Sequence, residues 1–412
     1  MKRNLLAIAI PALLVAAGAN ASIEVWNKDG NKVDFYGRVK AANNITDRAQ
    51  EKEGDDTSAR FGMTGQTQIT DTITGYGRWD YDAKAGNATG KNEVRYAFAG
   101  LNFGDFGSFD YGRNDGVLKV ITAYTDVLPQ FGGDAADNAL NVLSARTKAV
   151  ATYRNNNLFG ITDDISFALQ YADNGDNSTT SDGVREGSRE AYGAVAEWRI
   201  FDTGLTIGGG YAQTAGSAKS KGSVVDSGWN NDNDDDDDDD DDYSYRYGDS
   251  DYRPYKSAGK VKTWAAGIQY DNYNLHLAAN YFHSKHKSSV KGVYDDKTKG
   301  FELVAQYGID LEVGRLTPSL AYVQHKVSGK NYSHHEHDDS LPSGKNLVKY
   351  VSLGAEYALN KNFSAIVEYK FNLLKKKDIG AFDNTANLDR DSKHRSKPGT
   401  KDVLGVGLIY QF

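Results

Sequence analysis

The sequence predicts an all-β protein, a 16-stranded antiparallel transmembrane β-barrel whose third long loop folds inward. Three observations carry this. Apolar and polar residues alternate with period two in segment after segment, the connections alternate between tight turns and long polar loops, and no apolar run is long enough for a spanning helix. The longest such run, Leu5 to Ala19, falls short of the roughly 20 residues a helical span needs.

Taken in chain order, the first element is a leader. Lys2 and Arg3 precede the apolar stretch, which ends on Ala19-Asn20-Ala21, the small-x-small pattern of an export cleavage site. Residues 1–21 are expected to be a cleaved signal, leaving 22–412 as the barrel; losing Lys2 and Arg3 takes the formal net charge from −8 to −10.

Beyond Ser22, sixteen alternating segments begin near Val33, Ser58, Ile73, Asn92, Gly107, Lys148, Ile165 and Glu190, then near Leu205, Val261, Leu275, Gly300, Leu316, Leu347, Phe363 and Asp402. A typical one sets Ile165, Phe167, Leu169 and Tyr171 against Ser166, Ala168 and Gln170. Tight turns fall at Asp71-Thr72, Gly104 to Gly107, Phe201 to Gly204, Asp271 to Asn274 and Asn360 to Asn362; the intervening loops, such as Ala172 to Arg189 and Lys326 to Asn346, are long and polar. A soluble sandwich of this many strands would bury too much polar inner surface. A membrane barrel places lipid on the apolar face and water on the polar one, and its closure pairs every backbone group. The last strand ends the chain with Leu408, Tyr410 and Phe412 on one face, as a barrel-closing strand does.

One loop breaks the polar rule. Val117 to Leu143 has 15 apolar residues of 27, whereas Ala172 to Glu190 has 2 of 19. Such a loop is expected to pack inside the barrel and narrow it, rather than to form a plug or a lid outside.

Composition removes other classes. With no Cys there is no disulfide framework and no thiolate metal site. A net charge of −8 and a pI near 5.6 argue against a phosphate-binding surface, and so against nucleic acid as a partner. No GxSxG, HExxH or GxxxxGK[ST] occurs, and the nearest phosphate-loop lookalike, Gly86 to Asn92, has the wrong spacing. The reading is therefore not an enzyme and uses no cofactor. An adhesin or receptor-type barrel, or a substrate-specific channel, are the alternatives; no run of lumen-facing aromatics is found that would favour a sugar-specific channel.

The stretches NKDGNKVDFYGRVKA, TGYGRWDY, RYAFAGLNFGDFGSFDYGRN, YTDVLPQFGGD, VATYRNNNLFG and the closing GLIYQF resemble the enterobacterial general diffusion porins, the OmpF, OmpC and PhoE group. The resemblance covers the mature chain outside the outer loops. It implies a homotrimer of outer-membrane barrels that pass ions and small hydrophilic solutes passively, in contact with outer-membrane lipid, lipopolysaccharide and the barrel-assembly machinery, with phage or colicins as further partners at the outer loops. It also implies a constriction with Arg38, Arg60, Arg95 and Arg146 on the wall and Asp126 on the loop; Gln130, Asp134 and Lys119 on the same loop are expected at its loop side, and Leu408, Tyr410 and Phe412, ending the last strand, are expected to be the assembly signal. Strand parity supports Arg60, since Phe61 and Met63 point to lipid, and is expected to support Arg95 through outward Val94, Tyr96 and Phe98.

Two departures stand out. Gln130 replaces a Glu usual in the family, and Glu93 stands on the wall where Lys is common; the loss of the loop acid is expected to make the pore less cation-preferring. The second loop, Ala83 to Asn92, is shorter than in the family, which weakens the expectation of a latch to a neighbouring subunit. Asp234 to Asp242 form an unbroken acidic run within the loop Thr214 to Lys260, read as a solvated extracellular segment. His334, His335 and His337 lie among acids, but local His enrichment in an outer loop does not require a metal.

Overall fold

The computed structural model describes residues 22–46, 54–86, 92–136, 141–173, 190–214, 259–288, 296–328, 345–374 and 400–412. The leader 1–21, the aspartate run 234–242 and the histidines 334, 335 and 337 lie outside the described residues. Sixteen long strands occur among those described. The first five are β1 (Asn31–Ile45), β2 (Ser58–Gln68), β3 (Thr74–Lys84), β4 (Glu93–Asn102) and β5 (Ser108–Asp115). After a single-turn helix, α1 (Lys119–Thr122), come β6 (Arg146–Asn155), β7 (Ile165–Asp173), β8 (Glu190–Arg199), β9 (Leu205–Thr214) and β10 (Gly259–Asn272). The last six are β11 (Leu275–Ser288), β12 (Asp296–Tyr307), β13 (Arg315–Ser328), β14 (Lys345–Ala358), β15 (Phe363–Asn372) and β16 (Val403–Gln411).

Each strand pairs antiparallel with the next, and β16 pairs back onto β1 from Leu404↔Ile45 to Gln411↔Arg38, so the sheet closes. Closure is what hydrocarbon demands, because an unpaired sheet edge there has no water to bond. A short segment, Ile23–Lys28, hairpins onto the start of β1 beside the seam. The tight turns fall where sequence places them. Between β10 and β11, Tyr273 and Asn274 have φ of 52° and 61°, the pair of left-handed residues of a type I′ turn whose twist suits a hairpin.

Alternation sorts the side chains. Phe61, Met63, Trp264, Leu303 and Tyr410 are exposed on the lipid face, while their strand neighbours point to the lumen. One expectation fails at β4. The register with β3 slips between Asp80 and Tyr81, so that Asp80 faces Tyr96 and Tyr81 faces Val94, leaving Arg95 as the extra residue of a β-bulge. The bulge reverses parity, and only Val94 points to lipid. Arg95 and Tyr96 both face inward, with Phe98 following at 8% exposure.

The apolar loop after β5 lies inside the barrel. Val117, Leu118, Ile121, Tyr124, Val142 and Leu143 form one buried cluster with wall residues of β7 to β11, including Ala168, Ala191, Val195 and Phe282. Glycines on the wall make the room: a methyl on Gly210 would come within 2.5 Å of Leu118, and one on Gly267 within 2.7 Å of the Tyr124 ring. The plug and the outside lid are thereby excluded.

At the seam, Phe412 exchanges backbone hydrogen bonds with Gly37 (N to O 2.9 Å, and 2.8 Å in return), and its ring covers the space a Gly37 side chain would take. Tyr410 packs beside it, ring centroids 6.1 Å apart. Deleting Phe412 removes the last rung of the closing pair, so the yield of heat-modifiable folded barrel on gels should fall; an unchanged yield would contradict a role in closure.

Candidate functional site

The lumen narrows between a charged wall on β1 to β6 and the inward loop. Arg38 on β1 and Arg60 on β2 are cross-strand partners, a like-charge pair that is unfavourable unless countered. The counter-charge comes from the next strand. On β3, Arg78, Asp80, Asp82 and Lys84 share the lumen face, alternating with Trp79 and Tyr81. Asp80 and Asp82 are each 1% exposed and sit at the centre of the ladder. Asp80 lies 3.9 Å from Arg60, 3.5 Å from Arg95 and 3.1 Å from Arg78. Asp82 lies 3.6 Å from Arg60, 3.6 Å from Arg95 and 3.2 Å from Lys84. Arg146 pairs with Glu93 at 3.2 Å, so the wall acid partly offsets the last arginine. Arg38 forms no ion pair among the described residues.

On the loop side, Ala123 and Asp126 are exposed to the lumen while their neighbours Tyr124 and Thr125 are buried against the wall. Tyr124 donates to Glu197 at 2.5 Å, and its carbonyl accepts from His276 at 2.9 Å. Thr125 donates to Glu302, a carboxylate that also accepts the Ala135 amide and so ties two limbs of the loop to β12. Lys119 lies 4.0 Å from Asp115, whose carboxylate raises the lysine pKa and keeps it charged. Gln130 and Asp134 turn to the wall. The Gln130 amide side chain donates to Asn44 at 2.9 Å and Asp56 at 3.1 Å, its backbone N–H donates to Glu368, and Asp134 accepts from Tyr350 at 2.9 Å with Lys370 3.8 Å away.

Sequence reasoning missed Arg78, Asp80 and Asp82, though the alternation in GRWDYDAK holds the signal. It also missed lumen-facing aromatics. Tyr36, Tyr76, Tyr96 and Phe98 all point inward, where Tyr36 donates to Asp80 and Tyr76 to Asp110. The Arg78 guanidinium lies 3.9 Å from the Tyr96 ring centroid, which leaves that face covered rather than open to a solute.

A closed barrel with a lipid-facing apolar belt, a charged lumen and a loop of its own across that lumen defines a pore-forming barrel of the outer membrane. A family model described as Gram-negative porin matches residues 28–412, and the chain belongs to that family. It is 39% identical to outer membrane porin F of Xenorhabdus nematophila and 37% identical to outer membrane protein F of Serratia marcescens, in both cases over 100% of each chain. Among solved structures, Salmonella typhi OmpF in complex with daunomycin aligns with a TM-score of 0.68 at 30% identity, covering 95% of this chain and 100% of that one. The protein is an outer-membrane general diffusion pore.

Because Asp82 offsets three cations at once, Asp82→Asn should lower the K⁺ over Cl⁻ permeability ratio by about twofold at low salt, with the shift shrinking in concentrated salt. Reversal potentials under a KCl gradient measure it; an unchanged ratio would mean that the ladder does not face the ion path.

Proposed function

We propose that residues 22–412, after removal of 1–21, assemble as a homotrimer and pass ions and small hydrophilic solutes with no energy source, no cofactor and no catalysis. Selectivity is set where ions pass between Arg38, Arg60, Arg95 and Arg146 on the wall and Asp126 on the loop. The observation that carries this reading is the inward loop, whose buried apolar side anchors it and whose other side leaves Asp126 exposed.

Lipopolysaccharide surrounds the barrel, the assembly machinery reads the strand ending in Leu408, Tyr410 and Phe412, and the outer loops are where phage or colicins would attach. Support for the last strand's role is its lipid-facing aromatic edge, with Leu408 and Tyr410 about half exposed. Stepwise conductance in a planar bilayer tests the pore. In the same bilayers, Gln130→Glu adds a carboxylate beside Asp56 and should raise the K⁺ over Cl⁻ ratio by about twofold at low salt. A barrel that inserts without conducting would overturn the pore reading, and a conducting variant with an unshifted ratio would remove residue 130 from the constriction.

A further inference from the structure

The rung that holds the loop tip fixes what lies beneath it. On β14, Ser352, Gly354 and Glu356 share the lumen face, since Leu353 between them is 54% exposed to lipid while Ser352 is buried. Gly354 faces Glu368 on β15, and the Glu368 carboxylate accepts the backbone N–H groups of Gln130 and Phe131. The next lumen rung pairs Glu356 with Ile366. It lies toward the tight turn at 359–362, and in barrels of this class the short turns face the periplasm. Two residues of strand, about 7 Å, separate Glu356 from the level at which the loop is held.

Other carboxylates of the lumen already have fixed partners. Asp80 and Asp82 are matched by arginines, Glu197 accepts from Tyr124, and Glu302 and Glu368 hold the loop. Glu356 makes no hydrogen bond and no ion pair among the described residues. The wall around it is neutral: Thr317 and Ser319 on β13, Ser364 and Ile366 on β15, and Gly407 and Ile409 on β16 occupy the flanking lumen positions. Across that neutral stretch the nearest strand of the arginine wall is β1, where the charges of Glu356 and Arg38 act on each other.

The lumen below the loop is thus divided. Fixed cations occupy β1 to β6, and a carboxylate stands on the neutral wall beside them. A carboxylate without a fixed counter-charge acts on the mobile ions that pass it. At about 7 Å in water, with partial screening, a unit charge changes the local population of a monovalent ion roughly twofold.

We propose that Glu356 is a second selectivity-determining acid of the pore, standing on the periplasmic side of the loop and drawing past Arg38 the monovalent cations that have passed Asp126. The proposal rests on the pore reading and extends it, because selectivity is then set at two levels, on the loop and on the wall beneath it.

The test is the K⁺ over Cl⁻ permeability ratio of the purified protein in planar bilayers, from reversal potentials under a KCl gradient. Glu356→Gln should lower the ratio about twofold at low salt and less in concentrated salt, and Glu356→Lys should lower it roughly fourfold. Glu356→Asp should keep the wild-type ratio. The chain has no cysteine, so Glu356→Cys gives a second route. It should behave like the Gln variant until a sulfonated methanethiosulfonate reagent returns a negative charge and restores the ratio in the same channel. A thiol reagent carried on a polymer too large for the pore should reach that cysteine from the periplasmic side alone. Should the Gln variant fail to fold, the Cys variant before and after labelling decides the matter by itself.

Asp126→Asn is measured alongside. An unshifted ratio there, with a lowered ratio in Glu356→Gln, would overturn the role of the loop acid and support Glu356; the converse would overturn Glu356 alone. Equal ratios in wild type, Glu356→Gln and Glu356→Lys would overturn the proposal, as would polymer labelling from the outer side. A wild type that inserts without conducting would sink the pore reading and this proposal with it.

Discussion

The backbone hydrogen bonds across the seam between β16 and β1 are the constraint on which the other features depend. A strand edge left open in hydrocarbon would cost several kcal/mol for each unpaired group, so a chain with no spanning helix can cross only by closing its sheet. Closure then fixes the faces: with side chains alternating, the outer belt must be apolar and the lumen is free to be polar. A barrel of sixteen strands is wide enough to hold water, and on β7 to β11 its inner wall presents small residues, Ala168, Ala191, Ala265 and Gly210, that leave room for apolar side chains. The apolar loop packs there, and this packing positions Asp126.

Electrostatics follows from the same geometry. Four arginines cannot crowd one wall without counter-charge, and β3 supplies it through Asp80 and Asp82, placed between Arg60 and Arg95. The ladder is thus a mixed array with a cationic surplus, and Arg38 is the member left without an ion pair among the described residues. The β4 bulge is part of this design. It turns Arg95 inward beside Tyr96, so that two consecutive residues contribute to a lumen that strict alternation would have given only one.

Strand positions were legible in the sequence because period-two alternation and turn residues are local signals; only the start of β12, at Asp296 rather than near Gly300, lies several residues away. The bulge was not legible, since one extra residue in one strand leaves no mark until the partner's register is known. The partners of Gln130 were hidden for another reason: Asn44, Asp56 and Glu368 lie 86, 74 and 238 residues away in the chain. Asp134 likewise looked like a pore acid from its motif, and only the fold brings Tyr350 and Lys370 to hold it against the wall.

The central claim is that the loop carries Asp126 into the ion path, and the chain's lack of cysteine allows a direct test. In a planar bilayer, channels of Asp126→Cys would be exposed to a sulfonated methanethiosulfonate reagent while current is recorded. Conductance should fall in discrete steps as each channel is modified, and channels of Ile268→Cys, which points to lipid, should not respond. Complete labelling of Asp126→Cys with no change in current would contradict the account, because the loop would then lie away from the path that ions take.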